Sequence, residues 1–191
     1  MRALAAGSLL ACLAACTVAP DPAPDPAPAA RALAVPADVT NRLDALDDAI
    51  EAWADASSLD EARAGAEAAR NLIVGPAGPL YGDADGDGAV AGAVDTGLLA
   101  GLDGTPGLAT GSALPCVARD VEAGTWDDAL AAYESWAPGR NTFPSLPSHA
   151  RRVVGWATLT LAAGDLEEAR EYASHAAIHA GVTRAAFEHC G

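Results

Sequence analysis

The pentapeptide Leu59-Asp60-Glu61-Ala62-Arg63 returns as Leu166-Glu167-Glu168-Ala169-Arg170, and the likeness continues beyond the arginine. Carrying the same offset forward pairs Ala66 with Ala173 and Ala69 with Ala176. Each copy follows an apolar-periodic segment and a short break: "DVTNRLDALDDAIEAWADASS" before the first and "HARRVVGWATLTLAAGD" before the second. In the earlier segment Leu43, Leu46, Ile50 and Trp53 recur at the three- and four-residue spacing of one helix face. In the later one Val153, Trp156 and Leu159 do the same. The chain should therefore build two similar helical hairpins, one near each end of a single domain spanning 38–191.

Local signals set the expected boundaries. Thr40 or Asn41 can cap the first helix, Gly75-Pro76 ends the second, and a Gly164-Asp165 turn leads into a helix starting at Leu166. Between the hairpins, "TWDDALAAYESWAPG" reads as a middle helix, with Thr125 as N-cap, Asp127 and Asp128 in its first turn and Pro138-Gly139 after its end. "AVDTGLLAGLDGTPGLATGSALPC" is rich in glycine and proline and should be mostly loop with a short helical turn; "RNTFPSLPSH" is loop. About half of the residues are hydrophobic, much of that alanine, and only 5% are aromatic, which favours close-packed helices over a strand-rich sandwich. The expected fold is mainly α: two helical hairpins plus a middle helix, with an irregular Gly/Asp-rich region. Trp53, Trp126, Trp136 and Trp156 stand at helical positions and are expected to anchor the core.

The second hairpin resembles a tetratricopeptide unit, with Trp156, Ala157, Ala169 and Ala176 at the aromatic and small positions of that repeat. The resemblance implies a protein-interaction scaffold. Gly181 stands where that family places proline, and the sequence shows no tandem repeat of about 34 residues.

The N-terminus carries Arg2, then an uncharged apolar run from Ala3 to Ala15, of signal-peptide length and too short to span a bilayer. It ends in Leu13-Ala14-Ala15-Cys16, which resembles the lipobox of bacterial lipoproteins; an earlier start at Cys12 lacks the small residue and shortens the run. The resemblance implies cleavage after a signal peptide of residues 1–15, lipidation of Cys16, and a lipid bilayer as partner through acyl chains such as palmitate. An ordinary cleaved signal with an incidental cysteine is the competing reading. Thr17, rather than aspartate, after the cysteine points to the outer membrane of the cell envelope. Residues 16–37 then form a tether: "APDPAPDPAPA" should be extended, at about 3.1 Å per residue.

With 26 acidic residues against 11 arginines and no lysine, the formal charge is −15. So acidic a chain without a basic cluster excludes nucleic acid as a partner class. It would also be repelled by an anionic membrane surface without an anchor. Beyond Cys12 and Cys16, only Cys116 and Cys190 remain. In an oxidising envelope compartment such a pair forms a disulfide, with two free thiols as the alternative.

The stretch "YGDADGDGAVAGAVD" spaces Asp83, Asp85 and Asp87 at alternate positions and follows them with Gly88. Three carboxylates held this close repel by about 1 kcal/mol or more per pair without a counter-ion. The run D-x-D-x-D-G resembles the calcium loop of EF-hand proteins and, more closely, of dockerin repeats. The resemblance implies a calcium site in the loop 83–95, using the side chains of Asp83, Asp85 and Asp87 and the carbonyl of Ala89. The pattern departs at its twelfth position, where Val94 replaces the closing acid; Asp95, one place later, is the candidate to complete the shell. The loop lacks the two flanking helices of a sensor, which favours a structural site.

His175 and His179 lie four apart on one helix, a spacing that can bind Zn2+ or Cu2+. A third ligand would have to come through the fold from His149 or His189. No G-x-S-x-G, triad spacing, P-loop or dinucleotide glycine pattern occurs, so the chain is not expected to be an enzyme. The expected function is a calcium-binding, membrane-anchored envelope lipoprotein with a structural or interaction role. A histidine-based transition-metal protein and a tetratricopeptide-like scaffold are the alternatives.

Overall fold

The computed structural model describes residues 35–136 and 146–190. The expected signal segment, Cys16, nearly all of the expected tether, and the loop residues 137–145, Pro138-Gly139 among them, lie outside the described residues. Among the described residues there are five α-helices, α1 (Ala37–Ala54), α2 (Leu59–Val74), α3 (Trp126–Ser135), α4 (His149–Leu161) and α5 (Leu166–Glu188), with a π-helical turn at Val117–Val121. No strand occurs among the described residues. The protein is mainly α, as the periodicity predicts. None of these helices is long and apolar enough to cross a membrane.

The cap expected at Thr125 is present. Ser58 accepts from the Glu61 amide, Thr125 and Asp128 cap α3 reciprocally, and Asp165 accepts from the Glu168 amide. The start of α1 differs. The helix begins at Ala37 with Pro36 in the cap position, and the Thr40 hydroxyl bonds to the Pro36 carbonyl at 3.3 Å instead of capping. Pro36 with its fixed φ leads the chain into the helix, and the Asp38 side chain of the first turn accepts from the Val39 amide at 3.0 Å. At the other end, α5 runs through Gly181 to Glu188.

The hairpins α1/α2 and α4/α5 pack against each other through two further pairs, α2 with α4 and α1 with α5, closing a four-helix arrangement. The core takes Leu43, Leu46, Ile50 and Trp53 from α1, alanines from α2 and α5, and Val153, Val154 and Trp156 from α4; all four tryptophans are buried. Alanine at the crossing points brings the helix backbones close. Gly65 takes this furthest: a Cβ there would sit 2.7 Å from the Cβ of Trp53. The Trp53 indole N–H, fully buried, donates to the Ala169 carbonyl across the bundle at 2.9 Å.

The repeated pentapeptides face each other reciprocally. Arg63 donates to the Ala163 carbonyl at 2.9 Å, and Arg170, its counterpart, donates to the Ala56 carbonyl at 2.5 and 3.1 Å. Ala56 and Ala163 are themselves equivalent positions, in the turns just before the two N-caps. Each hairpin thus latches the other's turn with the same residue, an approximate two-fold relation that puts both LxEAR segments at one interface.

The irregular middle closes against this frame. Cys116 and Cys190 form a disulfide with Cα atoms 5.6 Å apart, tying the end of α5 to the π turn. Ser148 donates to the Val121 carbonyl, and Arg151 donates to the carbonyls of Glu122 and Ala123 at 3.0 and 2.9 Å. Its guanidinium also lies 4.9 Å from the Trp126 ring centroid.

Candidate metal centre

The aspartate loop leaves the end of α2 and folds back along that helix. Two α2 side chains one turn apart hold it. Asn71 donates to the carbonyls of Gly82 and Ala91 at 3.1 and 2.8 Å and accepts from the Gly82 amide at 3.1 Å. Glu67 accepts three loop amides: Ala84 at 2.5 Å and Asp85 at 3.1 Å on Oε2, and Ala91 at 2.8 Å on Oε1. Tyr81 ties the ends of the loop together, its hydroxyl donating to the Val94 carbonyl and accepting from the Val94 amide at 3.3 and 3.2 Å. Arg42 anchors the exit by donating to the carbonyls of Leu72 and Thr96 at 2.8 and 2.6 Å.

Within the loop the aspartates turn the chain around themselves. Asp83 accepts from the amides of Gly86 and Gly88 at 2.8 and 2.9 Å, Asp85 from Asp87 at 3.1 Å, and Asp87 from Ala89 at 2.7 Å. Gly88 has φ +92°, in the left-handed region, so the sixth position of the motif requires glycine.

The carboxylates that come together are those of Asp83, Asp85 and Glu67, each offering an oxygen within 4.8 Å of the others. Glu67 is almost wholly buried, Asp85 half-buried and Asp83 exposed, so the cluster is capped by the helix on one side and open on the other. An ionised carboxylate has about four lone-pair positions. Three amides on Glu67 and two on Asp83 leave acceptor capacity on both. Burial first, then the negative charges of Glu67, Asp87 and Asp83, push the Asp85 carboxyl up from its ordinary range against the opposing Asp87 amide. A bound cation would reverse that penalty.

Of the residues singled out in the sequence, Asp83 and Asp85 join the cluster, while the carboxylates of Asp87 and Asp95 do not belong to it. Asp95 is exposed, beyond the loop's closure at Val94 and beside Val74, Pro76 and Thr96. The third carboxylate of the cluster comes instead from Glu67, which precedes the loop on α2. Sequence spacing does not reveal it, since Glu67 reads as one more surface glutamate in an alanine-rich helix. The one available signal is the break in the internal repeat, where Glu67 and Asn71 answer to Ser174 and Ile178.

The histidines arrange differently from their spacing. His175 and His179 share a face of α5, but the His175 ring stacks on Trp156, with centroids 4.3 Å apart and planes 12° apart. His149, at the start of α4, comes to His179 instead, with Nδ1 atoms 3.0 Å apart. Burial, followed by the charges of His149, Arg152 and His175, pushes the His179 imidazole down to about 4. Burial and Arg152 lower His149, against Asp120. His189 is exposed beside Glu188, at 3.9 Å.

Comparisons of the chain with protein-family models, with curated protein sequences and with solved structures find no match.

Proposed function

We propose that this protein is a calcium-binding, lipid-anchored protein of the bacterial cell envelope, in which the ion pins the 81–94 loop to a helical bundle in a structural or interaction role. The observation that carries the reading is the convergence of Glu67 on Asp83 and Asp85: a buried helix carboxylate within ligand reach of two members of a D-x-D-x-D-G run. Glu67 takes the part that Val94 cannot. Asp87 and the Ala89 carbonyl would join as the loop tightens around an ion, and water would fill the open face, giving the oxygen-rich shell that calcium prefers. Magnesium, which holds its own waters and rarely uses such a protein cage, fits less well. The anchor rests on Leu13-Ala14-Ala15-Cys16 and the proline-rich tether, and it would place the domain at a membrane surface.

Calcium titration of the purified chain by calorimetry and thermal melting tests the site. Calcium should raise Tm more than equal magnesium, and Asp83→Asn or Asp85→Asn should remove that rise while leaving the calcium-free Tm within a few degrees. A wild-type Tm indifferent to calcium would end the reading. The anchor is tested separately by palmitate labelling, which Cys16→Ser should abolish.

A further inference from the structure

A second pair of metal-ligating side chains stands in the other hairpin, remote in sequence from the aspartate loop. His149 opens α4 and His179 lies in the middle of α5, so two rigid helices present the two rings. Their Nδ1 atoms are 3.0 Å apart, with ring centroids at 5.0 Å and planes at 64°. Such an approach has two chemical meanings. One ring can donate Nδ1–H to the other, or both can turn Nδ1 lone pairs towards one ion.

Ion geometry gives the separation a meaning. Two nitrogens at about 2.0–2.1 Å from a common ion lie about 2.9 Å apart at a right angle and about 3.3 Å apart at the tetrahedral angle. The observed 3.0 Å sits near the right-angle value. We propose that His149 and His179 form a two-nitrogen chelate for a divalent transition ion of tetragonal preference, copper(II) above all, with solvent in the remaining positions. Both residues are half-buried, which leaves solvent access to the outer side. Neither ring needs to lose a proton: the ring that carried Nδ1–H carries Nε2–H instead, and both Nδ1 lone pairs face the metal.

The surroundings set the strength of the site. His175, the residue whose spacing most resembles a ligand partner for His179, is committed to the face of Trp156. Arg152 places a positive charge near both rings and opposes a cation, while Asp120 near His149 favours one. The overall charge of −15 attracts cations to the surface. Copper heads the affinity order for nitrogen sites, so a chelate of only two protein ligands is expected to hold it before zinc.

The test uses the untagged full chain, saturated with calcium, titrated with glycine-buffered copper(II) and read by calorimetry and electron paramagnetic resonance. One copper per chain should bind, with superhyperfine structure from two nitrogens. His149→Gln and His179→Gln should each weaken binding at least tenfold and reduce the signal to one nitrogen, with circular dichroism confirming the fold. If His179→Gln fails to fold, His149→Gln at the first turn of α4 carries the same reading. His175→Ala and Asp83→Asn should leave copper affinity unchanged. Equal loss in His175→Ala and His179→Gln would assign the copper to the pair on α5 and overturn the proposal. Undiminished binding in His149→Gln, or no stoichiometric binding at all, would reduce the contact to an imidazole–imidazole hydrogen bond and overturn it as well.

Discussion

The two hairpins share a pentapeptide, a pattern of alanines and a reciprocal arginine latch, yet they differ on their outer faces. On α2, Glu67 and Asn71 are buried under the aspartate loop, which they bind through six hydrogen bonds to its backbone. The same positions on α5 hold Ser174 and Ile178, both facing solvent, with Ile178 62% exposed. The inner faces have to satisfy one interface between them, so their residues are tied together. The outer faces meet no such demand, and one of them has become the floor of a candidate ion site. The aromatic anchors diverge too. In the first hairpin Trp53 packs on Gly65, while in the second Trp156 stacks on His175 with Tyr172 tilted beside it, planes 37° apart.

The largest test of that comparison replaces the equivalent outer residues. Glu67→Ala strands three loop amides without an acceptor and should cost about 2–4 kcal/mol in urea unfolding, whereas Ser174→Ala should stay within about 0.5 kcal/mol. Equal effects would mean that the loop contributes nothing to the bundle. Glycines offer the next contrast. Gly65→Ala drives a Cβ into Trp53 and should cost about 1–3 kcal/mol. Gly181→Ala, in a helix interior where a Cβ meets nothing within 4 Å, should stabilise by about 0.5–1 kcal/mol. If both destabilise alike, the close approach of α1 and α2 is not the tight contact it appears in the packing.

The latches should behave as a matched pair. Arg63→Ala and Arg170→Ala each free one turn carbonyl and should each cost about 1–2 kcal/mol, measured as denaturant midpoints at constant m. Unequal costs would show that the two-fold relation is one of sequence and not of energy.

Acid sensitivity should separate the hairpins by a smaller margin, because all four histidines follow residue 148. His179 is held near 4, below the ordinary 6.5, by burial first and then by His149, Arg152 and His175. Between those values the unfolded chain binds a proton that the native state refuses, so this stability is present above pH 6.5 and drains away as pH falls towards 4. Allowing for solvent at the half-exposed ring, the loss should be about 1 kcal/mol. Comparing His179→Gln with the parent chain at pH 7 and pH 4.5 isolates it from the carboxylates: the variant should have the shallower pH slope.

Legibility followed the range of the interactions. The helices, the cap at Thr125 and the turn of the aspartate loop are written in neighbouring residues, because a cap or an Asx-type turn closes within a few positions. The helix face through Leu43, Leu46, Ile50 and Trp53 follows from period alone. The start of α1 lies ahead of the local signal, because Thr40 and Asn41 are the stronger cap residues while the helix begins behind Pro36 with Asp38 accepting the Val39 amide. Glu67 was legible only through the break in the internal repeat, where its counterpart is Ser174. A glutamate in an alanine-rich helix has the same local pattern whether it faces water or receives three loop amides.

By itself the sequence determined that this chain is helical, internally repeated, acidic and equipped with a D-x-D-x-D-G turn, since composition, period and short-range spacing are properties of the chain. Only the tertiary structure decided which carboxylate stands beside Asp83 and Asp85, and which histidine meets His179. Both outcomes depend on how α2 meets the loop and how α4 meets α5. Packing of whole helices sets those distances, and no spacing along one helix encodes them.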